Sequence, residues 1–521
     1  MRSLDALKDA AQTAFEVARR APGVSEIEVF VAANATLLTR LNYTSHIPCN
    51  GVEEPKSVES YGLGLQVVFD GPDGARTGFG SEPSDLSAGG AARALDKARA
   101  AAVVDPDFVS LPRPSAAPRT LSDYHDPTLM ALPDARLVDA GWTVVNGALR
   151  TFLASSQLAD LAPDDEALRR LGLIVSGDVT ILAERIAVLS TAMPRVQTDE
   201  STMISAFVTA MVESRGAKGS GWSTGTRLDH LTDEAGSEAA QAAIASVGGA
   251  RVDSGRYRVV FGRQPVTDLL DNIVVPACRA GAFYASASPF LGRLGAPVAS
   301  SQLSIYDDGA MPGLMASKGI TCEGLPCGRT DLIRHGVLTG CLASWYDSQR
   351  LLRDPRCAEK LGGADAAARA AALVPRNGFR FASGGGRQFD QRPDAAATNV
   401  VVEGADGVSR DELLRRVGNG LYIGRIWYTY PINGLRAGDF TCTVVADSYI
   451  IRDGRIAEPI KPNTIRINDN IATFLNNVVG VTKDVKGTVV WGTDQATYAP
   501  EIAVADVRVD DIAAFMEDLN G

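Results

Sequence analysis

Histidine is the residue type that most limits the chemistry open to this chain. The sequence has four histidines, His46, His125, His230 and His335. A zinc site on one helix needs two histidines about one turn apart, as in HExxH or HExxxH, and no two of these histidines are that close. The sequence therefore excludes a His-pair zinc site on a helix. His335 falls at a predicted hairpin tip with no Ser or Cys beside it, which favours a solvent-facing side chain over nucleophilic catalysis.

Neighbouring carboxylates are the next candidates for chemistry. Asp307 and Asp308 follow a predicted strand, and Asp469 lies within the run Asn468–Asn470. Such groups can bind hard cations or act as acid and base. Acidic residues at strand ends more often form turns, because Asx side chains bond to their own backbone. The turn interpretation is favoured, and Asp308 is kept as a weaker candidate site residue.

Two short patterns suggest ligand sites but favour simpler interpretations. Cys322 and Cys327 lie five residues apart, but a structural zinc site usually needs a second such pair, which the sequence lacks. The glycine run Gly384–Gly386 lacks the preceding strand and the Lys-Ser/Thr of a phosphate-binding loop. The seven cysteines are sparse and odd in number, which favours a reducing cytoplasm over a disulfide framework.

The overall charge narrows the classes of partner. The chain has 51 basic and 62 acidic residues, for a net charge of −11, which disfavours a general nucleic-acid binder. No window approaches the ~20 apolar residues of a membrane-spanning helix. Charges interrupt the first twenty residues, so they do not read as a secretory signal. We expect a cytoplasmic protein that binds neither nucleic acid nor membrane.

Hydrophobic periodicity in the first half predicts alternating helices and strands that would form an α+β unit. In chain order these are a helix from Leu4 to about Pro22, a strand at Ile27–Val31, a strand pair around the turn Asp70–Gly74, a helix over Asp85–Val104, a helix over Leu137–Phe152, strands between Gly172 and Val212, and a helix over Glu234–Val247.

The second half is richer in predicted strands. They are Arg256–Phe261, Gln302–Tyr306, Asp331–Gly340 with a tight turn at His335-Gly336, Gly420–Tyr430, and Asp447–Ile460 with a tight turn at Asp453-Gly454. One helix, over Pro265–Ala282, interrupts them. The segment Leu351–Asp394 is predicted to be a helix followed by a surface loop.

These elements predict an α+β fold with N-terminal helix-and-sheet domains and a strand-rich C-terminal domain of antiparallel sheets. The predicted domains are residues 1–110, a middle segment 121–252 that packs with the first, and residues 253–521. Three prolines in Ser110–Thr120 indicate a linker between the first two.

Four segments, in order, make the second half resemble the TldD/PmbA family, whose members are bacterial and archaeal proteins related to zinc metallopeptidases. The segments are Gly255–Leu270, Ser288–Met311, Gly319–Leu351 and Asn419–Lys461. The third contains Cys322-Glu323-Gly324, which is similar to the family's Asp/Cys-Glu-Gly element and makes Glu323 a second weaker candidate. The N-terminal half matches more loosely.

The resemblance implies a two-domain fold and a dimer of a catalytic TldD-type subunit with a TldE/PmbA-type subunit. In the catalytic type, two histidines of HExxxH and a cysteine near the C-terminus bind zinc, and the glutamate is the general base. Such a site activates a zinc-bound water near neutral pH.

The same resemblance places the HExxxH positions on Asp271-Asn272-Ile273-Val274-Val275-Pro276, counted back without a gap from Ser288. Asp271 and Pro276 would replace the two histidines, and Asn272 would replace the base. The region of the metal-binding cysteine falls on Val479–Gln495, which contains no Cys. Asn cannot abstract a proton and Pro cannot bind a metal, and Pro276 is expected to bend its helix.

Three hypotheses follow. The leading one is a non-catalytic TldE/PmbA-type subunit without its own metal or cofactor, paired with a zinc-bearing TldD-like partner that cuts small, unfolded or leader peptides. Its candidate site residues are the vestigial positions Asp271, Asn272 and Pro276. The second is an enzyme with a repurposed site in peptide maturation, using Asp271 or Asp308 as acid or base. The third is a protein-binding module without catalysis. A homodimer stays open under each.

Overall fold

The computed structural model describes residues 1–47, 51–72, 74–114, 121–363, 365–382, 384–490 and 494–513. The helices are α1 Leu4–Arg19, α2 Ala88–Ala100, α3 Asp134–Leu153, α4 Ser156–Leu161, α5 Asp165–Arg170, α6 Glu234–Ala245, α7 Arg263–Leu269, α8 Val275–Ala277, α9 Ala280–Tyr284, α10 Trp345–Arg353, α11 Cys357–Leu361, α12 Ala366–Ala372, α13 Arg410–Val417 and α14 Ile471–Asn476.

The strands alternate with these helices. They are β1 Val24–Thr44, β2 Gly51–Val52, β3 Lys56–Phe69, β4 Arg76–Pro83, β5 Val103–Val104, β6 Leu173–Ser190, β7 Gln197–Val212, β8 Ala217–Gly225, β9 Gly255–Phe261, β10 Leu303–Asp308, β11 Arg329–Arg334, β12 Val337–Leu338, β13 Gly378–Phe379, β14 Asp394–Ala395, β15 Asn399–Gly404, β16 Gly420–Pro431, β17 Asp439–Arg452, β18 Arg455–Pro459, β19 Ile465–Asn470, β20 Val478–Val481, β21 Lys486–Thr488, β22 Ala496–Ala499 and β23 Ile502–Asp511.

The N-terminal half is built on one antiparallel sheet with the strand order β5-β4-β3-β1-β6-β7-β8, and β2 pairs with β1. Helices α1 and α2 pack against one part of the sheet, and α3 and α6 pack against another. Because β1 pairs with both β3 and β6, the sheet runs through both predicted segments 1–110 and 121–252. The linker between them starts as ordered chain, since Leu111 N–H donates to Glu26 Oε2 at 2.8 Å, and Ser115–Thr120 lie outside the described residues.

Local signals in the first helix explain where it begins. The Ser3 hydroxyl caps α1 by accepting the Ala6 N–H at 3.3 Å. Leu7, Ala11, Ala14 and Ala18 recur at helical spacing and are buried, so the predicted amphipathic helix is confirmed. The following strand is longer than predicted, because β1 continues past Val31 to Thr44.

The C-terminal half contains two larger sheets. One has the order β12-β11-β10-β15-β22-β21. The other follows the path β16-β9-β23-β19-β17-β18, and β16 also pairs with β17. Five strands of the second sheet therefore close into a barrel, which removes their free edges. Most pairs are antiparallel, with β15–β22 and β16–β9 as parallel pairs, and the predicted α+β class is confirmed.

Both predicted hairpin turns are present. His335 and Gly336 have φ values of +46° and +79°, and Asp453 and Gly454 have values of +50° and +71°. Paired left-handed residues are what a two-residue turn between twisted strands requires, and Gly at the second position adopts them without strain. In the turn Asp70–Gly74, β3 and β4 pair as predicted, while Asp73 lies outside the described residues.

The predicted surface loop in Leu351–Asp394 is wrong. Its helices α11 and α12 form, but the chain after them enters the interior, where the side chains of Arg380 and Arg387 are fully buried. Arg380 Nη2 lies 2.5 Å from Glu28 Oε1 on β1. Ala364 and Ser383 of this segment lie outside the described residues.

A buried charge network joins the two halves. Lys318 Nζ lies 2.8 Å from Glu184 Oε2, and Arg387 Nη1 lies 2.8 Å from Asp199 Oδ2. The Ser201 hydroxyl donates to Glu184 Oε2 at 2.6 Å. Although burial opposes ionisation, the charges of Lys318 and Arg387 lower the pKa of Glu184 to about 2. The carboxylates come from the N-terminal sheet and the cations from the C-terminal half.

None of the helices in the described ranges combines the length and the apolar character that a membrane crossing requires.

Candidate functional site

The helical segment Arg263–Ala277 carries Asp271, Asn272 and Pro276, the positions that the resemblance aligns with HExxxH. It begins at α7, turns into a π-helical turn over Leu270–Val274 and ends with α8. The predicted helix Pro265–Ala282 is therefore wrong at its C-terminal end, since α9 starts separately at Ala280. Pro276 has no N–H to donate to the preceding turn, and the departure from α-helical geometry lies just before it.

Asp271 sits in the π-helical turn and contacts the strand that precedes the last one. Its Oδ1 accepts hydrogen bonds from Gln495 Nε2 at 2.5 Å and from the Thr497 hydroxyl at 2.9 Å. Burial raises the pKa of Asp271 to about 7, against these two hydrogen bonds, which favour the ionised form. A carboxyl group with such a pKa can accept or donate a proton near neutral pH.

Asn272 faces a different partner. Its side-chain amide donates to the backbone oxygen and to Oδ1 of Asp268, each at 2.9 Å. Asp268 is fully buried, and its Oδ2 accepts the Thr429 hydroxyl at 2.6 Å. Asp268 was not among the residues singled out from the sequence. Its signal was the spacing of Gln264, Asp268 and Asn272, four residues apart on one helical face.

The groups at the vestigial positions do not fit a zinc ion. Zinc in peptidases is held by imidazole, thiolate or carboxylate groups that are free to donate electron pairs. Here Oδ1 of Asp271 already accepts two hydrogen bonds, the Asn272 amide is used as a donor, and the Pro276 side chain has no ligating atom. In the described part of the chain, no three His, Cys, Asp or Glu side chains are grouped in a way that could hold a metal ion.

The stretch Val479–Gln495, on which the resemblance places the family's metal-binding cysteine, ends in contact with this segment. Gln495, the last residue of Val479–Gln495, supplies the amide that contacts Asp271. An amide of this stretch therefore contacts Asp271, and the stretch contains no Cys. Residues 491–493 of this stretch lie outside the described ranges.

An exposed aromatic patch flanks Thr429. Trp427, Tyr428 and Tyr430 on β16 are 41%, 64% and 49% exposed, and the Trp427 and Tyr428 rings stack at 5.8 Å. Tyr428 has a φ of +55°, a conformation that bulky residues rarely adopt. The patch therefore lies next to the residue that binds Asp268.

Asp308 behaves as a turn-forming residue. Its Oδ1 accepts the Ala310 N–H at 2.9 Å, which is the Asx pattern favoured from the sequence. Its neighbour Asp307 is fully buried and accepts the Thr398 N–H and the Asn377 amide, each at 2.6 Å. Asp469 likewise accepts backbone N–H groups, from Asn470 at 2.7 Å and Arg508 at 3.1 Å.

Glu323 lies in a separate cleft of about 580 Å³, whose lining includes Trp345 and Arg350. The side chain is 3% exposed, and the Trp345 N–H lies 3.0 Å from both carboxyl oxygens. Burial raises the pKa of Glu323 to about 8. None of the hydrogen bonds described for Glu323 joins it to Asp271.

This pKa predicts the pH dependence of a Glu323→Gln variant. Folded Glu323 keeps its proton up to about pH 8, whereas the unfolded carboxyl loses it near its ordinary pKa of ~4.3. The folded state therefore binds the extra proton, and stability falls as the pH rises through this window. Urea unfolding of both proteins between pH 5 and pH 9 should show the wild type losing stability relative to the variant. A difference that is constant with pH would contradict the raised pKa.

A cleft of about 880 Å³ opens at the start of α7, where Arg263 and Gln264 line it. Its other walls come from α6 and β8 of the N-terminal half and from α13 and the barrel strands of the C-terminal half. Asp447 lies in this wall with a φ of +50°. This cleft could not be predicted from the sequence, because its walls are far apart along the chain.

The C-terminal half of the chain matches a known protein family. The model of the PmbA/TldA metallopeptidase C-terminal domain matches residues 254–511. A metalloprotease from Methanothermobacter thermautotrophicus is 26% identical over 260 residues, 49% of each chain. A metalloprotease from Synechocystis is 25% identical over 194 residues, 37% of this chain and 34% of that protein. The chain spans about half or less of the length of these curated relatives.

Solved structures extend the likeness to the whole fold. TldE from Thermococcus kodakarensis has a TM-score of 0.73 at 15% identity and covers 97% of this chain and 100% of its own. A candidate modulator of DNA gyrase from Bacteroides thetaiotaomicron has a TM-score of 0.72 at 16% identity, over 97% and 98% of the two chains. At these identities the likeness is one of fold.

Proposed function

We propose that this chain, which belongs to the TldD/PmbA family through the domain at residues 254–511, is the non-catalytic subunit of a heterodimeric peptidase. Its partner would be a TldD-like subunit that carries the zinc and cuts small, unfolded or leader peptides in the cytoplasm. In this role the chain holds no metal or cofactor of its own and contributes to the chamber that encloses the peptide.

One observation carries the proposal. The segment Arg263–Ala277 stands where the family's metal-binding helix is expected, yet Asp271 and Asn272 use their polar atoms in hydrogen bonds within the chain. The relation to metallopeptidases supports a role in proteolysis, and the fold shared with TldE supports assembly with a zinc-bearing partner. The exposed aromatic patch beside Thr429 offers apolar surface for such an assembly.

The test is reconstitution with a partner. The purified chain, alone and with a homologue that carries intact HExxxH, would be assayed for cleavage of an unfolded peptide, and the complex would be sized by light scattering. We expect activity only in the mixture, together with a heterodimer and complete inhibition by a chelator. Cleavage by the isolated chain in chelator would contradict the proposal, and so would a homodimer that does not bind the partner.

A second function is favoured by the Asp271 pKa of about 7, which suits general acid–base catalysis without a metal. The Asp271→Ala variant separates the two functions. If the chain is a non-catalytic subunit, this variant should keep the activity of the complex within about twofold, because no reacting atom contacts Asp271. Peptide hydrolysis by the isolated wild-type chain that disappears in Asp271→Ala would favour the second function. Asp308→Ala is the matched control, since Asp308 forms a turn.

A further inference from the structure

A continuous row of four rings and one guanidinium group crosses from the N-terminal sheet to the barrel. Its members, which we call the aromatic row, are Trp222 on β8, Phe207 on β7, and Arg425, Trp427 and Tyr428 on β16. The Trp222 and Phe207 rings are 5.5 Å apart. The Arg425 guanidinium carbon lies 5.6 Å from the Phe207 ring centre and 5.9 Å from the Trp427 ring centre. Tyr428 continues the row by stacking on Trp427, so the two halves of the chain share one surface.

The barrel end of the row is held open to solvent by a strained backbone. Tyr428 is 64% exposed, although its φ of +55° is unfavourable for a bulky residue. This residue lies in a bulge between Trp427 and Tyr430, and such bulges turn a side chain in a new direction. The bond from the Thr429 hydroxyl to the buried Asp268 fixes the bulge. The strain therefore serves an exposed ring and not the core, which is typical of a binding surface.

The exposed ring area is that of the centre of a protein interface. Phe207, Trp427, Tyr428 and Tyr430 are between 37% and 64% exposed, which at roughly 200 Å² per aromatic side chain leaves about 400 Å² in contact with solvent. A stable interface takes about 800 Å² from each partner, with aromatic residues and arginine at its centre and polar residues at its rim. Neither the 880 Å³ cleft nor the 580 Å³ cleft is lined by Phe207, Trp427 or Tyr428. The surface therefore suits a folded protein better than a small ligand.

Basic groups without a counter-charge lie along the row and at its two ends. Lys218 precedes Trp222 on the same face of β8, and the exposed Arg436 lies in the connection that follows β16. Arg425 donates to the hydroxyl groups of Thr209 and Ser220. Within the described part of the chain, none of these three basic side chains forms an ion pair.

The carboxylates nearby are paired, buried or bonded to amides. Asp178 on β6 pairs with Arg40 at 3.0 Å. Asp447 is 8% exposed, and its charge acts on the guanidinium group of the row without forming an ion pair. Asp439 accepts the Asn470 amide at 2.9 Å. The solvent-facing groups without a counter-charge are thus mainly basic, in a chain whose net charge is −11, and they are complementary to carboxylates on a partner.

We propose that the aromatic row is the centre of the surface on which the zinc-bearing TldD-like subunit docks, an inference that rests on the proposed function. The partner covers the Trp427 and Tyr428 rings with apolar side chains and places carboxylates opposite Lys218 and Arg436. The bulge of β16 is bonded to the helical segment Arg263–Ala277. Docking on the row therefore places the partner beside the segment that stands where the family's metal-binding helix is expected, as a shared chamber requires.

Binding of the full-length chain to a homologue that carries intact HExxxH tests the proposal, with the Kd measured by calorimetry and the complex sized by light scattering. Tyr428→Gly removes the ring and suits the positive φ, so the fold is kept while the Kd rises at least about tenfold. Lys218→Glu/Arg436→Glu should also raise the Kd about tenfold, with a smaller effect at high salt. Leu153→Ala, which shortens a side chain 68% exposed at the end of α3, is the control and should bind like the wild type.

The outcomes separate this inference from the proposed function. If the wild-type chain forms no heterodimer, the proposed function fails and the docking surface fails with it. If the heterodimer forms and Tyr428→Gly and the charge variant bind like the wild type, only the docking surface is wrong. Normal binding by Tyr428→Gly with loss of peptide cleavage would show that the row contacts the peptide instead. A homodimer of the isolated chain that Tyr428→Gly abolishes would show that it contacts a second copy.

Discussion

Replacing Lys318 with Met is expected to lower the free energy of unfolding by about 3–5 kcal/mol. Met preserves the length of the side chain but removes the charge that lies 2.8 Å from Glu184. The buried network then holds two carboxylates, Glu184 and Asp199, against one cation, Arg387. An uncompensated buried charge cannot recover its hydration, so the loss is far larger than for a surface pair. Chemical denaturation followed by tryptophan fluorescence measures it.

Two further variants make this prediction specific. Lys8→Met removes an exposed ion pair with Asp5 and should change stability by at most about 0.5 kcal/mol. The double variant Lys318→Met/Glu184→Gln restores the charge balance and should recover part of the loss. A Lys318→Met protein as stable as the Lys8→Met protein would show that the network contributes little.

Replacing Gly64 with Ala is expected to destabilise the protein by about 2–3 kcal/mol through overpacking. Gly64 lies on β3, and a Cβ atom there would stand 2.2 Å from the backbone oxygen of Phe389. The backbone around Phe389 must then move away from the sheet, because a main-chain oxygen cannot rotate aside as a side chain can. The shift in the denaturation midpoint measures this effect.

Gly363→Ala is the matched control for the glycine variant. A Cβ atom at Gly363 meets nothing within 4 Å, so the same substitution should leave the midpoint nearly unchanged. Increased protease cleavage between Gly384 and Asp394 in Gly64→Ala would support displacement of the segment. An unchanged midpoint in Gly64→Ala would mean that the strand and the segment can separate at little cost.

Elements with local signals could be predicted from the sequence. The hairpin turns at His335-Gly336 and Asp453-Gly454 depend on two adjacent residues and their φ values, and α1 depends on its own cap and spacing. The α+β class followed from the sum of such signals. Closure of the barrel could not be predicted, because it depends on β16 pairing with both β9 and β17.

The segment Leu351–Asp394 shows why the prediction of a surface loop was wrong. Its glycines and polar residues are typical of a surface loop. The residues near Arg380 and Arg387 in the sequence do not indicate which carboxylates these arginines pair with. Those partners are Glu28, Glu184 and Asp199, more than 150 residues away. Burial of a charged side chain depends on such distant counter-charges, which local composition does not record.

For the candidate site, too, some residues could be identified from the sequence and others could not. The resemblance identified Asp271, Asn272 and Pro276 by counting residues along the chain. Only the structure shows which side chains these residues contact. Gln495 and Thr497, which contact Asp271, come from the other end of the domain. Asp268 was within reach of the helical spacing, whereas the cleft formed by Trp222, Asp447 and Glu501 depended on the meeting of two halves of the chain.

The closed barrel also has a consequence for how this architecture can be rearranged. Its first strand, β9, and its last, β23, are neighbours, with Gly255 opposite Val509. The start of β9 and the end of β23 thus lie side by side. A short linker could join these two ends, and a cut in another loop would leave the order of strands in space unchanged. Such a circular permutant would retain the barrel's connections, while the Lys318 and Arg387 contacts would still tie it to the N-terminal sheet. The order of the chain in this domain could therefore be changed, while its stability would still depend on contacts with the N-terminal sheet.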